Sequence, residues 1–181
     1  HGPVLTITHF STPMQQGLGA ADLWLSAGIC DHVLLGAMDE LGAFMLAIYA
    51  SRGMIASDGV LRAGAMDQAI GIVPGEGAAF FLLTRPDIAP QRQGRIHRAE
   101  PKGQAPDLVW LDHDGLWAQG AALPSALRDR PLVCHNEVWG SFPSGAGMAL
   151  AAGLLSLPSL SCQNMLCHTH RPGADRLWIS P

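Results

Sequence analysis

The sequence predicts a layered α/β fold, with α/β/α/β/α layers, and three observations carry that expectation. Short β-branched or apolar runs alternate with helical segments through both halves of the 181 residues, as in α/β proteins. Two helical segments, one in each half, carry almost no charge: a single Asp22 in residues 13–27 and none in residues 144–157. An outer helix shows a polar face to water, so helices coated with Ala, Gly and Leu all round belong between two sheets. Composition agrees, with 48% hydrophobic and only 14% charged residues against ~25% in average soluble domains.

In chain order, Val4-Leu-Thr-Ile-Thr8 is short and rich in β-branched residues, which predicts a strand. Thr12-Pro13 places an N-cap before a first-turn proline and opens a helix that Gly28 ends. Asp31 to Gly36 is a second strand, and Asp39 or Glu40 opens a helix to Ser51. Residues 52–74 are rich in Gly and Asp and read as loop, before a glycine turn runs into a buried strand at residues 75–84. Residues 85–106 combine Pro, Gly and charge, and divide residues 1–84 from residues 107–181 as a linker within one domain. The second half then reads as strand 107–111, helix 118–129, strand 131–135, helix 144–157, and a closing hairpin from residues 162–170 and 175–180.

The net charge is −4 and Lys102 is the sole lysine, so no basic face argues for nucleic acid. The uncharged stretch from Phe142 to Ser161 has the length of a membrane span, but Pro143 and Pro158 bracket it and Gly and Ser dilute it. It reads as a buried helix of a cytoplasmic protein with no membrane partner. Cys30, Cys134, Cys162 and Cys167 follow no disulfide framework and read as reduced thiols. The chain starts at His1 and enters strand-like text at once, which reads as a processed or truncated N-terminus.

Three fragments in order, Gly2-Pro-Val-Leu-Thr-Ile-Thr8, Cys30-Asp-His-Val-Leu-Leu-Gly-Ala37 and Pro74-Gly-Glu-Gly-Ala-Ala79, resemble consecutive motifs of the ketosynthase branch of the thiolase-like superfamily. More loosely, Asp107-Leu-Val-Trp-Leu-Asp-His-Asp-Gly115 resembles that family's strand ending in His-Gly-Thr. Gly140-Ser-Phe-Pro-Ser-Gly-Ala-Gly147 resembles its later Gly-His motif. The resemblance implies a thiolase-like fold truncated at the N-terminus by at least one strand–helix unit of roughly 30 residues. It also implies a shortened C-terminal half.

In working members, a cysteine thiolate at a helix N-terminus accepts the acyl chain, and two histidines donate hydrogen bonds to the enolate formed as malonyl loses CO2. The matching positions here are Ser11, Asp112 (with His113 one residue late) and Ser141, so all three identities differ. A serine hydroxyl needs an adjacent base, and an anionic Asp112 would repel an enolate. The resemblance therefore implies no catalytic residues of the family type, no cofactor and no metal. It implies a pocket formed from Phe10, Ser11, Met14, His113, Ser141 and Phe142, and a dimer strand of Val4, Leu5, Thr6, Ile7 and Thr8.

Other residues admit two readings. Ser11 with His113 as base would make a serine acyltransferase or hydrolase; alone, Ser11 is a pocket or capping serine. Cys162, Cys167, His168 and His170 could ligate zinc, but strand alternation points neighbours to opposite faces. His32 and His135 read as structural histidines in strands, and Glu76 as a buried structural glutamate. Arg85, Arg92, Arg95, Arg98 and Lys102 form a solvated linker or a dock for an acidic acyl carrier protein. The expected function is a noncatalytic ketosynthase-like subunit of chain-length-factor type. It would support acyl-chain elongation in fatty acid, polyketide or aryl-polyene biosynthesis, partnered by a catalytic ketosynthase subunit or by itself. The alternatives are the serine enzyme and a scaffold homodimer.

Overall fold

The computed structural model describes residues 2–10, 12–59, 71–89, 92–98, 105–112, 124–169 and 176–181. The elements run α1 (Pro13–Ser26), β1 (His32–Asp39), α2 (Ala43–Ser51), β2 (Gly77–Thr84), β3 (Arg95–His97), β4 (Leu108–Asp112), β5 (Leu132–Cys134), α3 (Asn136–Trp139), α4 (Gly145–Leu160), β6 (Met165–Thr169) and β7 (Leu177–Ser180). β1 and β2 form an antiparallel pair, with Leu34 opposite Leu82 and Gly36 opposite Phe80. The other five strands form one sheet in the order β3-β7-β6-β4-β5. Within it β4 runs parallel to β5 and β6, and β7 runs antiparallel to β6 and β3.

Helix α4 is the middle layer between the two sheets. A Cβ at Gly147 would lie 2.6 Å from the Ala37 Cβ on β1, and one at Gly153 would lie 2.8 Å from Ile179 Cδ1 on β7. Glycines on the two sides of the helix thus let both sheets approach closely, while Leu150, Leu154 and Leu157 fill the core between them. The five-stranded sheet is buried on its other face too, where Val109, Leu111, Leu166 and Trp178 pack with Leu127. Buried faces on both sides explain why these strands read as continuous apolar runs.

Several expectations need correction. Helix α1 packs chiefly on β1, with Gly17 against Leu35 and Met14 against Gly147 of α4, while Asp22, Leu23 and Ser26 stand in solvent. Its small residues serve close approach on one side, not burial all round. Residues 95–97, inside the expected linker, form β3 because their backbone finds the open edge of β7. Val4–Thr8 joins no ladder among the described residues, although it lies beside the open edge of β1 across a groove. Helix α2 begins at Ala43, beyond Asp39, whose side chain is engaged elsewhere. Of the expected helix 118–129, residues 125–127 form a single 3-10 turn, and residues 118–123 lie outside the described residues. The closing hairpin forms as β6 and β7. Among the described residues no helix is long and apolar enough to cross a membrane.

Besides the packing of α4 on β1 and β2, polar contacts among the described residues bind the first half to the second. Asp39, last in β1, accepts hydrogen bonds at Oδ2 from the Ser144 amide (2.7 Å) and hydroxyl (2.5 Å), placing a carboxylate at the α4 N-terminus, where the free amides and the helix dipole favour negative charge. The loop before β2 bridges to Ser141: the Ser141 amide donates to Val73 O (2.8 Å) and the Gly75 amide to Ser141 O (3.1 Å).

Candidate functional site

The parallel strands β4 and β5 end side by side and deliver the residues of the candidate site. β4 ends at the buried Asp112. β5 ends at Cys134, and the chain turns through His135 into the one-turn helix α3, led by Asn136. Gly140 takes φ +76°, a conformation that favours glycine, and brings Ser141 back beneath Asn136. Asp112, His135, Asn136 and Ser141 are all buried, so each must find polar partners inside the protein.

Asn136 is the hub. Its Nδ2 donates to Asp112 Oδ1 (3.0 Å), Ser141 Oγ (3.1 Å) and Gly140 O (3.3 Å), so two hydrogens are shared among three acceptors. Its Oδ1 accepts from the Cys134 thiol at 3.7 Å. His135 Nε2 stands 3.9 Å from Asp112 Oδ1, and its ring stacks on Trp139 at 5.4 Å, which itself stacks on Trp110 at 6.4 Å. A cavity of about 650 Å³ opens beside Asn136, lined by residues 73–76 together with Glu137, Val138 and Trp139. Its walls are close: a Cβ on Gly75 would sit 1.8 Å from Trp139 O.

The fold brings two of the three positions named from sequence, Asp112 and Ser141, onto one amide. Ser11 and His113 lie outside the described residues. Around Ser11, Phe10 is exposed, whereas Met14 belongs to the main core and Phe142 is buried. The Thr12 amide donates to His9 Nδ1 at 3.0 Å at the start of α1. Val4, Leu5, Thr6 and Thr8 are exposed and Ile7 half-buried. His135 is buried, but it follows β5 and stands at the N-cap position of α3 instead of within the strand. Glu76 is exposed, not buried as expected, and its Oε2 accepts from the Leu41 amide at 3.0 Å, because the loop turns it to the cavity rim. Exposed His32 bonds Thr84 Oγ1 at 3.1 Å.

Cys167 and His168 are adjacent on β6, with Cys167 in the core and its thiol pushed up to about 12 by burial. Burial first, then the Asp107 carboxylate, raises the half-buried Cys162. His170 lies outside the described residues. Arg85 pairs with Asp31 (3.2 Å) and Asp87 (3.4 Å), and Arg92, Arg95 and Arg98 are exposed; Lys102 lies outside the described residues. Sequence reasoning missed Asn136. The available signal was an amide residue directly after an apolar strand and five positions before Ser141.

No family model matches the sequence, and no curated protein does. Among solved structures, the chain is similar to the ketosynthase from module 6 of the bacillaene synthase of Bacillus subtilis 168, with TM-score 0.70 and 18% identity over 88% of this chain and 36% of that one. It is also similar to the oxazolomycin ketosynthase domain of Streptomyces albus JA3453, with TM-score 0.67 and 16% identity over 94% and 37%. A beta-ketoacyl synthase from Burkholderia phymatum STM815 follows at TM-score 0.65 and 11% identity over 92% and 58%. The fold is therefore the thiolase-like fold of ketosynthases, and the chain spans between a third and three-fifths of the length of these neighbours.

Proposed function

We propose that this chain is a noncatalytic ketosynthase-like subunit of chain-length-factor type, supporting acyl-chain elongation in fatty acid, polyketide or aryl-polyene biosynthesis. It works as a dimer, beside a catalytic ketosynthase subunit or a second copy, with strand Val4–Thr8 at the contact. One observation carries the reading. The residues matching the family's two histidines are Asp112 and Ser141, and both are held by the Asn136 amide in a buried network. A decarboxylating condensation develops negative charge on the thioester oxygen and needs donors aimed at it. A carboxylate offers an acceptor there and opposes that charge, and the Asn136 N–H groups are occupied by the chain's own acceptors.

The exposed Arg92, Arg95 and Arg98 support contact with an acidic acyl carrier protein in the cytoplasm. The deciding experiment incubates the purified chain with activated acyl thioesters and malonyl donors. The expected result is neither condensation nor a stable acyl adduct by intact mass. Stoichiometric acylation that disappears in Ser11→Ala would overturn it in favour of a serine-dependent acyltransferase. Affinity capture from the native host should recover a ketosynthase-type chain with an intact Cys-His-His set.

A further inference from the structure

The turn that carries Ser141 is held from the first half at both of its ends. At its start, the Ser141 amide donates to Val73 O (2.8 Å) and the Gly75 amide to Ser141 O (3.1 Å). At its end stands Ser144, the N-cap residue of α4, whose side chain makes no capping bond within its own helix. Its amide and hydroxyl donate instead to Asp39 Oδ2, at 2.7 and 2.5 Å, across 105 positions of the chain. An N-cap side chain normally accepts from an amide at the start of its own helix. Asp39 does this from another strand, and sets a negative charge against the positive end of α4, whose first turn holds no acidic residue.

Only Phe142 and Pro143 separate Ser141 from Ser144. Pro143 has a fixed φ. Phe142 is buried, and its Cζ lies 3.1 Å from where a Cβ on Gly77 would stand. The Gly145 amide donates to Phe142 O (3.0 Å) and the Gly147 amide to Ser144 O (2.8 Å), tying the turn to the start of α4. A segment this short and this constrained passes a shift of Ser144 on to Ser141, whose Oγ accepts from Asn136 Nδ2 at 3.1 Å. We propose that Asp39 is a positioning residue for the Asp112–Asn136–Ser141 network. Acting through Ser144, it holds Ser141 within reach of Asn136, so the last residue of β1 in the first half completes the site in the second. The inference goes beyond the chain-length-factor reading and stands on the geometry of the network.

Asn136 and Asn164 are the only asparagines in the sequence. Asparagine-selective nitrogen labelling of the full chain therefore gives two side-chain amide signals by NMR, one from the network and one from the turn before β6. In Asp39→Ala the Asn136 signal should move towards that of a free amide. Its exchange with water should be at least ~tenfold faster, equivalent to about 1.4 kcal/mol of lost local protection. The Asn164 signal should stay in place. Asp39→Asn keeps an oxygen that accepts from Ser144 and should restore most of the Asn136 signature. Gly153→Val, which strains α4 against the other sheet, should leave that signature as in the wild type. If Asp39→Ala loses its fold, Ser144→Ala removes the hydroxyl bond alone and carries the same expectation. An unchanged Asn136 signal, a failure of Asp39→Asn to restore it, an equal change in Gly153→Val, or a joint change with Asn164 would overturn the proposal. Acylation that vanishes in Ser11→Ala would overturn the chain-length-factor reading and leave this inference standing.

Discussion

The side-chain amide of Asn136 donates to Asp112 Oδ1 at 3.0 Å, joining the end of β4 to the start of α3 inside the protein. The same nitrogen reaches Ser141 Oγ, so one residue decides whether two buried polar groups keep this donor. Losing a partner exposes a buried acceptor to its full desolvation cost, while the bond itself contributes little net. Asn136→Ala should therefore destabilise the fold by about 1–3 kcal/mol in denaturant titrations. Asn136→Asp should cost more, because it sets a second carboxylate against Asp112. An alanine variant as stable as the wild type would show that the network is dispensable.

Gly153 marks where α4 meets the five-stranded sheet. Its absent side chain leaves 2.8 Å to Ile179 Cδ1 and 2.9 Å to Met165 Sδ, both fully buried. Gly153→Val should force those side chains aside and cost about 1–3 kcal/mol or more by overpacking. Thermal melts compare it with Leu155→Val at an exposed position on the same helix, where little change is expected.

Cys167 predicts a pH dependence. Its thiol is raised from 9.0 to about 12 by burial, so the unfolded chain loses this proton before the folded one. Folding is then supported in full below pH 9 and progressively less as pH rises from there towards 12. Cys167→Ala should flatten that part of the stability profile relative to wild type. Parallel profiles for the two proteins would contradict the shift.

Ile7→Lys tests the strand contact of the proposed dimer. Val4–Thr8 makes no ladder of its own, so the intramolecular fold loses little when Ile7 changes. Sedimentation should show a weaker dimer, while the melting temperature at low concentration moves by less than the ~4 °C that 1 kcal/mol produces in a chain of this size. A large fall in the monomer's melting temperature would mean that the segment belongs to the chain's own core.

What the sequence determined on its own was the local material and its order. The absence of charge between residues 144 and 157 marked the middle layer, since a helix facing two sheets has no side on which a charge stays hydrated. Apolar runs placed β4 to β7, and motif order singled out Asp112 and Ser141 before any contact between them was visible. Tertiary structure decided everything that depends on a neighbour far along the chain. β3 exists because residues 95–97 meet the edge of β7, more than 80 positions away, whereas Val4–Thr8, beside the open edge of β1, joins no ladder among the described residues. Glu76 faces the cavity, and Asn136 becomes a hub, through the turn at Gly140 and the bridge from Pro74 to Ser141. Periodicity records which side of an element is apolar, but a backbone hydrogen bond or a buried polar contact needs its partner's position, which folding alone supplies.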